Sequence, residues 1–298
     1  MIYESETPQT PGASLSRAGK LYVVGTPIGN LEDMTSRAIR TLKEVDLIAC
    51  EDTRRTQKLL NHYSIRTRTV SYHEHNELTR APELIIEMEE GSNIALVSDA
   101  GMPVISDPGY RLVKLAIRHG LQVIPIPGPS AFVAVLAVAG LPMDKFAFLG
   151  FLPAKRAARQ KALQELKNSS KTLVFYEAPH RALEMLMDLR SVLADRPVVM
   201  AREITKVYEE FVRGTASEVI ERLKKKPPKG EITLVVGPPV NAAEGASVPE
   251  LTISEDLEKV MKEKNLDERA ALKLVARVRG ISKSEAYRLW QTEKSVET

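Results

Sequence analysis

From Leu21 onward, short β-branched and apolar runs alternate with longer amphipathic ones, and this alternation restricts the chain to an α/β fold. Leu21-Tyr22-Val23-Val24 predicts a strand and Ser36 to Lys43 a helix. Val45 to Cys50 predicts a second strand, followed by a helix through Gln57, Leu59 and Leu60. Asn93 to Ser98 reads as another strand. Asp107 then stands as an N-cap with Pro108 in the first helical position, ahead of a helix through Leu112, Leu115 and Ala116. Gln122 to Ile126 closes this half as a strand. The spacing implies a mostly parallel sheet covered on both faces.

Pro127-Gly128-Pro129 breaks the pattern, a helix begins near Ser130, and strand signals return at Phe146 to Leu149, Thr172 to Tyr176, Val198 to Ala201 and Ile232 to Val236. Asn241 to Glu250 is rich in small residues and reads as a linker. Beyond it, Asp267 caps a helix through Ala270, Leu274 and Val278 that Gly280 ends. Ser282 with Glu285 forms a capping-box pattern for a last helix bearing Tyr287, Leu289 and Trp290. The predicted organisation is a flexible segment over 1–20, an N-terminal α/β domain over 21–127, a C-terminal α/β domain over 128–240 and a helical tail over 250–298.

Composition removes several function classes. A single cysteine, Cys50, excludes a disulfide framework and a cysteine-rich zinc site. No apolar run approaches the roughly 18 residues of a membrane span, and Met1 to Lys20 lacks the apolar core of a secretory signal. A soluble, cytoplasmic protein with no membrane partner is expected. The net charge of +3 does not by itself announce a nucleic-acid partner, although an average can conceal a patch.

The first strand runs into Gly25-Thr26-Pro27-Ile28-Gly29-Asn30, where a dinucleotide fingerprint would sit, but Pro27 stands where that pattern needs glycine. Proline has no N–H for a phosphate, and its ring fills the space a pyrophosphate needs. Gly12 to Lys20 has the wrong spacing for a triphosphate loop. Ser98 to Gly109 is a long loop at another strand end, where open α/β sheets bind ligands. In it Asp99 can accept from a ribose or an amino group, Gly101 lets backbone approach closely, and Pro103 stiffens the turn. In Pro125 to Ala131, Ser130 can cap a helix whose exposed N–H groups suit an anion; the alternative is a plain interdomain hinge.

Three charged clusters also follow strands: Glu51-Asp52-Thr53-Arg54-Arg55, Glu177-Ala178-Pro179-His180-Arg181 and Arg202-Glu203-Ile204-Thr205-Lys206. Each reads either as a solvated helix start or as part of a site for an anionic substrate. His73-Glu74-His75 on a strand would put two histidines on one face, but His62, His119 and His180 are scattered. A polar, substrate-facing loop is therefore preferred and no metal is expected. Arg222 to Lys229 reads as a solvated helix end. The tail, with Arg269, Lys273, Arg277, Arg279, Lys283 and Arg288, resembles a basic helix-turn-helix that either binds RNA or only packs.

Taken in order, Gly25 to Asn30, Asp99 to Pro103, Pro127 to Ala131 and Gly230-Glu231-Ile232-Thr233 resemble the tetrapyrrole methylase superfamily, from about Leu21 to Pro239. Cys50 to Thr56, Ser106 to Tyr110, Tyr176 to Arg181 and Ala201 to Lys206 are closer still to its branch that acts on small-subunit (16S) ribosomal RNA, methylating a cytidine 2′-hydroxyl. The resemblance implies two α/β domains with a cleft between them, S-adenosylmethionine as methyl donor, a homodimer, and ribosomal RNA within the 30S subunit as partner. Carried over by position, cofactor contacts fall on Pro27, Asp99, Ala100, Gly101, Met102, Val104 and Ile105. Ser130, Ala131, Tyr176 and Thr233 continue the pocket. The first loop lacks the glycine-proline-glycine-aspartate pattern of members that modify tetrapyrroles, which points away from a porphyrin-like substrate.

A ribose hydroxyl is a poor nucleophile, so a base or a cation that lowers its pKa would help. Glu177, His180 and Lys206 are the candidates. Arg54, Arg55, Arg181 and Arg202 are better suited to holding phosphates, with His75 facing the substrate. The alternatives are a small-molecule methylase of the same fold, acting for example on a tetrapyrrole, and a non-enzymatic RNA-binding protein.

Overall fold

The structure is a computed structural model that describes residues 18–239 and 252–294. Residues 1–17 of the expected N-terminal segment and the expected linker at 241–250 lie outside the described residues. The chain divides into two compact units, 1–242 and 243–298.

The first unit carries two five-stranded sheets. The first comprises β1 (Lys20–Val24), β2 (Leu47–Cys50), β3 (Arg68–Ser71), β4 (Ile94–Val97) and β5 (Gln122–Ile126). Its order is β3-β2-β4-β1-β5, parallel throughout. Every residue of β2 and β4 is buried, which is why both read as unbroken apolar runs. Helices α1 (Ser36–Glu44) and α2 (Thr53–His62) cover one face, where Leu42 and Leu60 meet Val24, Ile48 and Val97. Helices α3 (Glu77–Glu89) and α4 (Tyr110–Arg118) cover the other, where Leu84 and Leu112 meet Leu21, Ala49 and Leu96.

This order fixes where a ligand can enter. β1 and β4 are neighbours, but the chain leaving β1 crosses to β2 on one side while the chain leaving β4 crosses to β5 on the other. The loops after β1 and β4 therefore emerge side by side at the carboxyl edge of the sheet, where open α/β sheets bind ligands.

The second sheet comprises β6 (Phe146–Phe151), β7 (Thr172–Glu177), β8 (Pro197–Arg202), β9 (Glu210–Thr215) and β10 (Ile232–Val236), in the order β6-β7-β10-β8-β9. Only β6 and β7 run parallel; β10 is antiparallel to both β7 and β8, and β8 to β9. Helices α6 (Arg156–Glu165), α7 (Ala182–Leu193) and α8 (Ala216–Lys225) bury one face, and α5 (Ala131–Ala139) the other. Ile28, from the loop after β1, packs into the α5 side, so the two sheets share apolar contacts. Between α6 and α7, Arg159 and Asp188 form a buried pair at 2.7 Å, 1% and 2% exposed.

The second unit packs α9 (Ile253–Lys264), α10 (Glu268–Val278) and α11 (Lys283–Lys294) around Leu257, Leu272, Val275 and Trp290. Asp267 caps α10 by accepting from the Ala270 amide, and Ser282 accepts from the Glu285 amide at 3.2 Å. Among the described residues no helix is long and apolar enough to cross a membrane.

One expectation changes. Gly109, not Asp107, is the N-cap of α4. Asp107 lines the cleft instead, and Gly109 takes φ 138° where a Cβ would strike Leu96 and Val104 at 2.8 Å. Residues 73–76 form a turn, as the preferred loop reading had it, with Asn76 Oδ1 accepting from the His73 amide, and run into α3.

Candidate active site

The loops after β1 and β4 are stitched together, chiefly through their backbones. Thr26 and Gly101 exchange both backbone hydrogen bonds, at 2.9 and 3.0 Å, and the buried Thr26 hydroxyl donates to the Ser98 carbonyl at 3.1 Å. Gly25 and Gly128 lie against each other so closely that a Cβ on either would stand 2.7 Å from the other's Cα. Since the obstacle is backbone, neither can yield. Gly128→Ala is expected to cost about 1–3 kcal/mol, the usual penalty of overpacking. A thermal melt checks this, and unchanged stability would refute the close contact.

Further along, Val104 and Ser106 take φ 76° and 64°, a left-handed conformation costing on the order of 1–3 kcal/mol for side chains of this kind. Such strain persists where the surroundings over-determine it. Here Val104 turns into the core beneath the loop, while Ile105 and Ser106 face the crevice.

The result is a cleft of about 520 Å³ between the sheets, within the range of small-molecule sites. One wall is Ile28, Gly101, Met102 and Ile105. The facing wall is Ser130 and Ala131 at the start of α5, Phe151, Tyr176 and Glu177, then Glu203, Lys206 and Glu231. Ser130 occupies the N-cap of α5, but its hydroxyl makes no capping bond and faces the cleft. The Tyr176 hydroxyl accepts from the Phe132 amide at 3.3 Å; burial pushes that phenol up despite the bond.

Two groups bring chemistry. Glu177 ends β7 fully buried; its Oε1 accepts from the Ala178 amide at 2.8 Å and lies 3.3 Å from Arg181. Its Oε2 has no partner. Burial raises its pKa against the opposing pull of the Ala178 amide, Arg181, Arg159 and His180. Lys206 is clamped by Glu203 at 3.0 Å and Glu231 at 3.1 Å. Burial works to lower its pKa, but the two carboxylates outweigh it and hold the ammonium charged. Room for this clamp comes from two glycines. A Cβ on Gly29 would strike Lys206 at 2.4 Å, and one on Gly230 the Glu203 carboxyl at 2.2 Å.

Of the residues expected at the site, Ala100, Gly101, Met102, Ile105, Ser130, Ala131, Tyr176, Thr233, Glu177 and Lys206 meet in this cleft. Pro27 and Asp99 do not. They line an adjoining recess of about 240 Å³ with Arg55, which pairs with Asp99 at 3.1 Å. Val104 is turned into the core. His180 is exposed and outside the lining, which removes it from the candidate bases. Lys206, held protonated, suits the role of cation rather than base. Arg181 is occupied by the Leu152 carbonyl and Glu177, and Arg202 by Glu210. Arg54 pairs with Asp52 on the surface, and His75 lies in the 73–76 turn beside His73. Among the described residues no group of His, Cys, Asp or Glu is placed to hold a metal ion. Sequence reasoning missed the roles of Glu203 and Glu231; their only signal was placement in loops already marked as charged or motif-bearing.

The cleft suits S-adenosylmethionine. Apolar walls at Ile28, Met102 and Ile105 match an adenine, backbone groups opened by Gly101 (φ 82°) can reach its polar edges, and the α5 N-terminus suits a carboxylate.

Comparison with known proteins agrees. Residues 20–220 match the family described as tetrapyrrole (corrin/porphyrin) methylases. A ribosomal RNA small subunit methyltransferase I of Halalkalibacterium halodurans is 49% identical over 281 residues, covering 92% of this chain and 96% of the relative. The protein of the same name from Bacillus subtilis is 46% identical, covering 91% and 94%. Among solved structures, uroporphyrin-III-C-methyltransferase from Thermus thermophilus shares the fold, with TM-score 0.52 and 21% identity over 74% of this chain and 94% of that one. The chain belongs to the tetrapyrrole methylase family and, within it, to the S-adenosylmethionine-dependent ribosomal RNA small subunit methyltransferase I proteins.

Proposed function

We propose that the protein methylates the 2′-hydroxyl of a cytidine ribose in small-subunit ribosomal RNA, acting on the 30S subunit as a homodimer. The observation that carries this reading is the cleft itself, which sets a cofactor-sized apolar wall opposite a buried carboxylate with one free oxygen and a fixed ammonium. Exposed apolar side chains at Tyr110, Ile117, Val133 and Val138 support self-association.

When bound, S-adenosylmethionine supplies a methyl group already activated by its sulfonium. The chain's own residues hold and orient: Ser130 and the first amides of α5 take the carboxylate end, and Ile28, Met102 and Ile105 take the base and exclude water. Glu177 Oε2, buried and unpaired, receives the proton of the attacking hydroxyl. The Lys206 ammonium stabilises the negative charge that develops on that oxygen. Pro27, Asp99 and Arg55 border the neighbouring recess and steady the cleft's edge, and Arg54, His75, Arg181 and Arg202 are assigned to the RNA side.

Incubation with methyl-labelled S-adenosylmethionine and 30S subunits, followed by mapping, is expected to place label on a single cytidine ribose. RNA binding should weaken steeply as salt rises. Label on a tetrapyrrole, with none on RNA, would establish the small-molecule alternative. No transfer and no cofactor binding would leave the RNA-binding alternative.

A further inference from the structure

A second cavity, of about 440 Å³, lies between β8, β9, α8 and the residues that follow α8. Its floor is apolar, made by Met200, Val212, Leu223, Pro227 and Pro228. Its rim carries four cations, Arg202, Arg222, Lys226 and Lys229, against one acid, Glu210. Both oxygens of that acid are taken: Oε2 accepts from Arg202 at 2.7 Å and Oε1 from Arg222 at 2.9 Å. Lys226 and Lys229 are exposed and form no ion pair among the described residues. Among the described residues the rim therefore sets four cations against one acid, a net positive charge.

An apolar floor under a cationic rim matches a nucleotide, whose base has two flat apolar faces and whose phosphodiester is an anion. An uncharged ligand would leave the rim unmatched, and an acidic peptide would leave the floor unfilled. Location adds a second argument. Arg202 lines this cavity and Glu203 the methyl-transfer cleft; Lys229 lines this cavity and Gly230 the cleft. Arg202 Nη1 also donates to the Lys229 carbonyl at 3.5 Å, tying the two turns together. The two cavities therefore border the same two turns, at residues 202–203 and 229–230, from opposite faces of the second sheet. An RNA strand seated in the cleft would run against residues 203 and 230, whose sequence neighbours 202 and 229 line the second cavity.

We propose that this cavity is a nucleotide-binding subsite of the RNA substrate. It takes a base next to the methylated residue on its apolar floor and the adjoining phosphate against Lys226 and Lys229. The proposal rests on the reading of the protein as a ribosomal RNA methyltransferase.

The test compares the full-length variant Lys226→Gln/Lys229→Gln with Lys224→Gln/Lys225→Gln, which removes the same charge from α8 outside the cavity. RNA affinity is measured against salt by filter binding with small-subunit ribosomal RNA, alongside kcat, KM for 30S subunits and affinity for S-adenosylmethionine. Losing two single-strand phosphate contacts should lower the salt slope by about 1.4 and weaken binding about tenfold near physiological salt. KM for the subunit should rise while kcat, cofactor affinity and melting temperature stay unchanged, and the control should move none of these. An unchanged slope and KM in an enzyme that still methylates overturns the subsite alone. Equal losses in both variants reduce it to a diffuse basic surface and also overturn it. If the unmodified protein binds cofactor but neither binds nor methylates RNA, the functional reading itself has failed. Crosslinking of 4-thiouridine-labelled RNA should mark peptide 226–229, and crosslinks confined to other elements would count against the subsite independently of any substitution.

Discussion

Asp188→Ala is expected to cost about 3–5 kcal/mol of stability, a large share of the 5–15 kcal/mol that holds a typical domain together. The side chain accepts from Arg159 Nε at 2.8 Å, Gln160 at 2.9 Å and Arg156 at 3.1 Å. Without it, Arg159 stays buried between α6 and α7 with the Ala154 carbonyl at 3.1 Å and a distant Glu184 at 3.6 Å. Neither replaces the Asp188 carboxylate, since the carbonyl is neutral and Glu184 is exposed and farther away. The double variant Arg159→Met/Asp188→Leu removes both charges and should recover most of the loss, because the penalty lies in the stranded cation. The pH dependence follows from the direction of the shift. Burial pushes the Asp188 carboxyl up, but hydrogen bonds from Arg159, Gln160 and Arg156 outweigh it and hold it below the ordinary range. Its contribution is therefore fully present above about pH 3.9, the unfolded value, and fades as pH falls through the lower folded value. Urea melts of wild type and variant from neutral to acid pH should converge. A constant difference would mean that packing, not the ion pair, was lost.

The second large effect concerns turnover. Glu177→Gln keeps the volume and the oxygen that accepts from the Ala178 amide, but cannot take a proton. A fall in kcat of about 10²–10⁴ is expected, the range general base catalysis supplies, with affinity for S-adenosylmethionine unchanged. In the unmodified enzyme the basic form appears only above a raised pKa, so activity should climb with pH through a limb displaced upward from ordinary carboxylates, and the glutamine variant should lack that limb. His180→Ala should leave kcat near wild type, since that imidazole is exposed outside the cleft. A kcat for Glu177→Gln within threefold of wild type would remove the carboxylate from the reaction. The two predictions are linked: Arg159 pulls the Glu177 pKa down, and losing Asp188 frees more of that charge to act.

What sequence could show follows the same physics. β2, β4 and β10 are buried throughout, so their apolar runs stood out, and the loops at their ends could be placed. β3 and β9 lie at sheet edges with exposed or half-buried residues, and neither announces itself. Pro82 lies inside α3, where a proline reads as a break. The antiparallel course of the second sheet depends on which strands pair, which local pattern does not carry. The cofactor-side loops were legible because their glycines and prolines constrain backbone. The Lys206 clamp was not, because Glu231 reaches it across 25 residues of chain. Val104, counted with the pocket on its position, is turned inward by a φ that no propensity predicts for valine.

The interior position of β1 bears on the order in which the molecule can assemble. Both of its partners, β4 and β5, come later in the chain, starting at Ile94 and Gln122. At roughly 5–20 residues per second of synthesis, the earliest strand waits several seconds for its first partner and longer for its second. During that time its backbone and its glycine-proline loop have nothing to pair with. The crevice that receives the cofactor therefore cannot form piecemeal. It closes late, when long-range parallel pairing draws the start of the chain into the middle of the sheet, the slowest kind of contact a small domain makes.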